Sequence, residues 1–171
     1  MGKQLNVCNG TPVRLVGPGP SGSGGIPAGG DWFVTNWQEI SQNDSDKVFG
    51  PVPDGMEYQI LWIQVNFITS AVVGDRQLEV RMERPASAMP GPEGTLAKAG
   101  AVQAASADNG YIFAPGLADL TSVRDSDYLT TPIPVTSLLQ AGDQLRIYDN
   151  NAVDAAADDM YIYIQYAYRR V

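Results

Sequence analysis

The chain has no histidine at all and a single cysteine among its 171 residues. Without histidine, no Ser-His-Asp or Cys-His nucleophile can be assembled. The commonest ligand of zinc and non-haem iron sites is missing as well. One cysteine, Cys8, excludes an internal disulfide. With no histidine to activate its thiol, it is expected to be a small residue in an N-terminal strand. Charge is also scarce. Charged residues make up 18%, against about a quarter in an average domain, so much of the surface must be neutral or covered by a partner. Apolar runs are too short to span a bilayer, no polybasic segment occurs, and no signal peptide opens the sequence. No segment keeps a helical period over three turns. The net charge is −8, which repels a phosphate backbone. Neither nucleic acid nor a membrane is expected as a partner. Synthesis in a cytoplasm is expected.

What the chain does have is turn formers and apolar residues. Gly (18) and Pro (12) are abundant, and 44% of residues are hydrophobic. Many short elements around one buried core are implied. "KQLNVCNGTPVRLVG" reads as one or two short strands. "GPGPSGSGGIPAGGD", residues 17–31, is too rich in Gly, Pro and Ser to pack. Gly17, Gly19 and Gly22 spell G-x-G-x-x-G there. A dinucleotide fingerprint needs a helix to start at that point, and Pro18 and Pro20 prevent one. Residues 1–31 are therefore read as an arm and residues 32–171 as the folded domain.

"DWFVTNWQEISQ" gathers Trp32, Phe33 and Trp37. These residues either anchor a strand or form an aromatic patch that grips a partner protein. In "YQILWIQVNFIT", Leu61, Ile63, Val65 and Phe67 alternate as one core face of a strand. "RQLEVRMER" alternates with Leu78, Val80 and Met82 inward. The Gly74-Asp75 turn between the two predicts a β-hairpin. "AGAVQAAS" and "GYIFAPG" read as strands joined by a turn at Asp108-Asn109-Gly110. "LADLTSVRDSD" reads as a loop or one helical turn. "YLTTPIPV" is extended, and its prolines confine it to an edge or a crossover. A turn at Ala141-Gly142-Asp143 leads into a strand with Leu145 and Ile147 inward. In the closing "DMYIYIQYAY", Met160, Ile162, Ile164, Tyr166 and Tyr168 share one face. Tyr161 and Tyr163 lie on the other, a sticky stripe suited to another layer or another subunit. Seven to nine short strands with a turn about every ten residues predict an all-β fold. The expected form is an antiparallel β-sandwich, a jelly roll, with a flexible Gly/Pro-rich N-terminal arm.

Four aspartates, Asp149, Asp154, Asp158 and Asp159, crowd the segment before that last strand. An EF-hand loop needs glycine at its sixth position and glutamate at its twelfth. Counted from Asp149, these are Asp154 and Met160, so the pattern fails. A calcium site from Asp149, Asn151 and Asp154 is the one metal alternative. The plainer reading is that the aspartates set turns, with Asp154 capping one helical turn. Carboxylate-only glycoside hydrolysis survives the lack of histidine, but no spacing singles out an acid pair. No catalytic residue and no cofactor is expected.

Three segments carry a family resemblance: "ILWIQVNFITSAVVGDRQLEV", "GAVQAASADNGYIFAPGL" and "LLQAGDQLRIYDNNAVDAAADDMYIYIQY". Their features are a V-G-D-R-Q turn, an extended A-V-Q-A-A-S segment, and a closing A-G-x-x-L-R-I-x-D followed by A-D-D-M. Together they resemble small structural virion proteins of tailed bacteriophages over about residues 58–168. Some of these are similar to capsid cement, or decoration, proteins with jelly-roll folds. The resemblance implies a non-enzymatic head protein on the capsid surface. It would bind the major capsid protein and itself, as a dimer or trimer, with Trp32, Phe33, Trp37, Tyr161 and Tyr163 as partner-binding candidates. The alternative it allows is a tail or baseplate component, including a receptor-binding β-sandwich. A groove of sugar size ringed by exposed aromatics would favour that alternative.

Overall fold

The computed structural model describes residues 13–15, 32–40, 43, 46–84, 94–116, 128–134 and 137–171. Cys8, the Gly/Pro-rich 17–31 stretch and the "LADLTSVRDSD" segment lie outside the described residues. The elements are all strands: β1 (Val13–Leu15), β2 (Trp32–Glu39), β3 (Lys47–Phe49), β4 (Met56–Ile68), β5 (Leu78–Glu83), β6 (Gly94–Lys98), β7 (Asp108–Pro115), β8 (Tyr128–Ile133), β9 (Leu138–Leu139), β10 (Gln144–Asp149) and β11 (Asp159–Arg170). They form two sheets. The larger runs β1-β2-β11-β4-β7-β8, with β9 pairing Tyr58 and Gln59 of β4 where β7 does not reach, and the smaller runs β3-β10-β5-β6. Every pairing is antiparallel except β7 with β8. The expected β-sandwich is present. Among the described residues it is seven strands on four.

The core fills the space between the sheets. The larger sheet contributes Ile63, Val65 and Phe67 from β4, Tyr111 and Phe113 from β7, and Met160, Ile162 and Ile164 from β11. Facing them are Leu78 and Val80 from β5, Leu145 and Ile147 from β10, and Phe49 from β3. Alternation puts these side chains inward, as period-two strands require. One irregularity matters. Gln165 pairs with Trp62, but the next residue, Tyr166, pairs with Ile60. Leu61 is the extra residue of a β-bulge. The expected inward Leu61 is therefore corrected. It is only half-buried, and Ile60 is fully buried instead. Beyond the bulge Tyr58 and Tyr166 pack together against the core.

Two turn expectations also fail. β4 and β5 are not a hairpin, because they belong to different sheets. Residues 69–77 cross from one layer to the other, and a side chain described below holds that crossing. Asp108-Asn109-Gly110 is not a turn either. It opens β7, pairing with Ile68, Phe67 and Asn66. The reversal comes earlier, where Ser106 takes the left-handed conformation at φ 55° and its N–H donates to the Ser70 carbonyl. The edge position of the proline-bearing segment holds, since β8 lies at the end of the larger sheet. The Gly142 turn holds too, at φ 85° with the Asp143 N–H donating to the Gln140 carbonyl.

Candidate functional site

Three loop segments meet at one end of the sandwich in a buried polar cluster. Arg76 and Asp158 are each fully buried. The guanidinium is bidentate on the carboxylate, Nε to Oδ2 at 2.8 Å and Nη2 to Oδ1 at 3.2 Å. Nη1 donates to the carbonyls of Val72 (2.7 Å) and Gly74 (2.9 Å), and Nη2 also reaches Ser70 Oγ (3.2 Å). All five guanidinium N–H groups are thus used. Asp158 Oδ1 also accepts the Ser70 N–H at 2.6 Å. Burial alone would raise the Asp158 carboxyl, but Arg76 and the Ser70 donors outweigh it and hold its pKa below the usual range. The same hydrogen bond to Asp158 raises Arg76. Next to this pair, the backbone of Gln103 exchanges two hydrogen bonds with that of Arg76. The Gln103 amide donates to the Phe67 and Ala107 carbonyls and accepts the Tyr111 hydroxyl at 2.9 Å. Burial pushes the Tyr111 phenol up to about 12.

This cluster sets the shape of the 69–77 crossing. A Cβ on Gly74 would come within 2.7 Å of Val153 Cγ1. Gly74→Ala is therefore expected to destabilise the chain by about 1–3 kcal/mol, as overpacking does. Val153→Ala should restore most of that loss in the double variant. Urea unfolding of the two single variants and the pair measures it.

The candidate calcium ligands take part in the loop architecture, although Asp149 Oδ2 is buried without a hydrogen-bond partner. Asp149 Oδ1 accepts the backbone N–H groups of Gln77 (2.7 Å) and Asn151 (3.1 Å). The Asn151 amide donates to the Asp75 carbonyl at 2.7 Å. Asp154 Oδ2 accepts the Ser70 hydroxyl at 2.7 Å, and its carbonyl accepts Ala157 and Asp158 N–H groups in a single turn. Among the described residues, no group of three or more His, Cys, Asp or Glu gathers to hold a metal.

Trp32, Phe33 and Trp37 do not form one exposed patch. Strand alternation splits them between the two faces of β2. Trp37 packs on the core ring of Phe49 at 5.4 Å, and Phe33 stacks on Tyr168 at 5.6 Å. Trp32 points to the opposite face and is 2% exposed, with the Arg169 guanidinium 4.7 Å over its ring. Burial within the chain's own packing corrects the expectation that Trp32 grips a partner. Tyr161 and Tyr163 differ. They stand on the face of the larger sheet turned away from the core.

That outer face carries a groove of about 350 Å³. Cross-strand register builds it. Gln38, Tyr163 and Gln64 form one row across β2, β11 and β4, and Tyr161 stands beside Asn66 in the next. Trp62 pairs with Gln165, and its indole N–H donates to Gln165 Oε1 at 2.9 Å. The Trp62 and Tyr163 rings lie 5.1 Å apart, inclined at 36°. Every side chain lining the groove is uncharged. Trp62, Gln38, Gln64 and Asn66 escape a sequence reading because β2, β4 and β11, which bring them to the tyrosines, are far apart in the chain. Alternation marks Gln64 and Asn66 as outward but leaves Trp62, inside an apolar run, undecided.

No family model and no curated protein matches the chain. Among solved structures it is similar to CBM22-1-GH10 modules of xylanase 10B from Clostridium thermocellum, complexed with xylohexaose. That likeness has 12% identity over 87% of this chain and 23% of the other, at a TM-score of 0.33. It is similar to a turnip yellow mosaic virus chain (8% identity, 97% and 89% covered, TM-score 0.30). It is similar to a chain of the T13 IBDV viral particle (14% identity, 99% and 43% covered, TM-score 0.34). The chain spans under a quarter of the xylanase chain and under half of the IBDV chain. Scores this low carry neither fold nor function across to this protein.

Proposed function

We propose that the protein is a non-enzymatic structural component of a virion. In this reading it is a capsid cement protein that binds the major capsid protein lattice as a homo-oligomer and stiffens the head. The observation that carries it is the turn at Val72–Val73. These two valines are 49% and 90% exposed. Exposed valines are ordinary on a mobile loop, but this loop is clamped by Arg76 on the carbonyls of Val72 and Gly74. A rigid apolar tip loses little conformational freedom on docking, which favours contact with another protein. The low charge fraction and the resemblance to phage virion proteins support the same reading. The test is reconstitution. Particles lacking the protein should regain heat resistance of the head when it is added back, and Val73→Asp should abolish the gain. Fractionation with tails, or heads equally stable without it, would overturn the proposal.

A second reading, a tail or baseplate component that binds a receptor, is favoured by one observation. This is the uncharged aromatic and carboxamide groove on the open sheet face. Retention of tails but not heads on immobilised receptor would select it.

A further inference from the structure

We propose that the groove on the outer face of the larger sheet is a binding site for a neutral glycan. The inference rests on the receptor-binding reading and names the ligand class which that reading leaves open.

The chemistry of the lining selects the class. A sugar ring has a face of C–H bonds and a rim of hydroxyls. The C–H face is weakly positive and is drawn to the negative face of an aromatic ring. Trp62 and Tyr163 supply two such rings, packed against each other with centroids 5.1 Å apart and planes inclined at 36°. The hydrogen bond from the Trp62 indole to Gln165 fixes the ring in place before any ligand arrives. A fixed platform lowers the entropy cost of binding. Around it stand the carboxamides of Gln38, Gln64 and Asn66. Each carboxamide donates and accepts, as a sugar hydroxyl does, so neighbouring hydroxyls can be met in both senses. The Tyr161 phenol adds one more group of that kind.

The same lining argues against other occupants. No cation lines the groove to hold a phosphate, sulfate or carboxylate, and the whole chain carries −8. Anionic glycans and nucleic acids are therefore disfavoured. The centre of a protein interface is typically apolar, whereas three carboxamides stand here among the aromatics and Ile40. The groove, about 350 Å³, falls at the small end of the range for small-molecule clefts, about 300–1,000 Å³. That suits a short stretch of sugar chain. Solvent reaches the site from one side, so binding should be weak per copy and strengthened by display of many copies.

The test titrates the full chain with cellohexaose, maltohexaose and mannohexaose, and with a hyaluronan hexamer as the anionic probe. Heteronuclear NMR follows the Trp62 indole N–H. At least one neutral oligomer is expected to shift that resonance saturably, with a dissociation constant on the order of 0.1–1 mM. The hyaluronan hexamer should leave it unmoved. Trp62→Ala should weaken binding about tenfold or more, the scale of losing one stacking ring. Because Trp62 also packs on Tyr163, Gln38→Ala and Gln64→Ala provide a second pair that leaves the aromatics intact. Each should weaken binding several-fold without lowering Tm. The proposal falls if no neutral oligomer moves the resonance, if the anionic hexamer binds as tightly, or if all three variants bind unchanged. It also falls if Trp62→Ala turns a homo-oligomer into monomers, because a second copy would then cover this face. If the isolated chain binds but assembled particles are not retained on the same immobilised glycan, the site stands and the receptor-binding reading fails.

Discussion

Asp158→Ala is expected to destabilise the fold by about 3–5 kcal/mol, the cost of leaving one member of a buried ion pair without its partner. The orphan would be Arg76, fully buried, with three of its N–H groups still held by carbonyls and a hydroxyl. Its charge cannot be lost by deprotonation in the accessible pH range. Arg76→Ala should cost about as much, since Asp158 would keep only the Ser70 donors. Replacing both together by apolar residues of similar volume should recover much of the loss. A double-mutant cycle by urea unfolding measures the coupling. The pair also sets an acid limit. The Asp158 carboxyl is held below its unfolded value, so its contribution is fully present above about pH 4, the ordinary aspartate value. It is lost as pH falls from there through the lower folded value. Wild type should lose stability over that window, and Asp158→Asn should flatten that part of the profile. If Asp158→Ala costs under 1 kcal/mol, or leaves the acid limb unchanged, this account of the 69–77 crossing fails.

Phe49→Ala is expected to cost about 3–5 kcal/mol as well. Phe49 sits on β3, a strand of three residues, and is 3% exposed. Its ring reaches from the smaller sheet into an aromatic group on the larger one. The centroid distances are 4.8 Å to Tyr166, 5.4 Å to Trp37 and 5.8 Å to Tyr58. Truncation removes one ring and leaves three others facing a void that their own stiffness keeps from closing. Phe49→Leu keeps most of the volume and should cost less than half as much. Chemical denaturation with an unchanged m-value would confirm a loss of native stability rather than a changed unfolded state. A cost under 1 kcal/mol for Phe49→Ala would show that the cluster collapses into the space.

What could be read before folding was mainly periodicity. Leu145 and Ile147, and likewise Met160, Ile162 and Ile164, face the core as their alternation requires. The proline in "YLTTPIPV" marked an edge strand, because a residue without an N–H cannot serve a central ladder. Pairing partners were not legible. The Gly74-Asp75 dipeptide carries hairpin chemistry, yet β4 and β5 part into different layers, and the crossing between them carries the contact of Arg76 with Asp158, 82 residues away. A local turn signal does not reveal such a long-range partner. The aspartate run was read as turn-setting, which holds for Asp149, whereas the Asp154 side chain accepts the distant Ser70 hydroxyl and Asp158 is a buried residue. One signal did exist. The V-G-D-R-Q, A-V-Q-A-A-S and A-D-D-M segments that carry the family resemblance supply Arg76, Gln103 and Asp158. They meet in one buried polar cluster. The bulge at Leu61 left no mark, since Ile60, Leu61 and Trp62 are all apolar and alternation cannot choose among them.

The placement of β11 has a consequence for how the chain comes to be folded. This strand lies between β2 and β4, two segments that precede it by about 100 residues or more. Until residues 159–170 are available, β2 and β4 have no shared neighbour and each shows a bare, apolar-flanked edge. The larger sheet therefore cannot assemble in chain order. Topologies of this kind fold slowly, over milliseconds to seconds. Their waiting edges can pair with other copies in the interval. Crowding at the site of synthesis should thus affect yield more than final stability. Supplying a β11 peptide in trans to a chain lacking it would show whether that gap is the step that governs assembly.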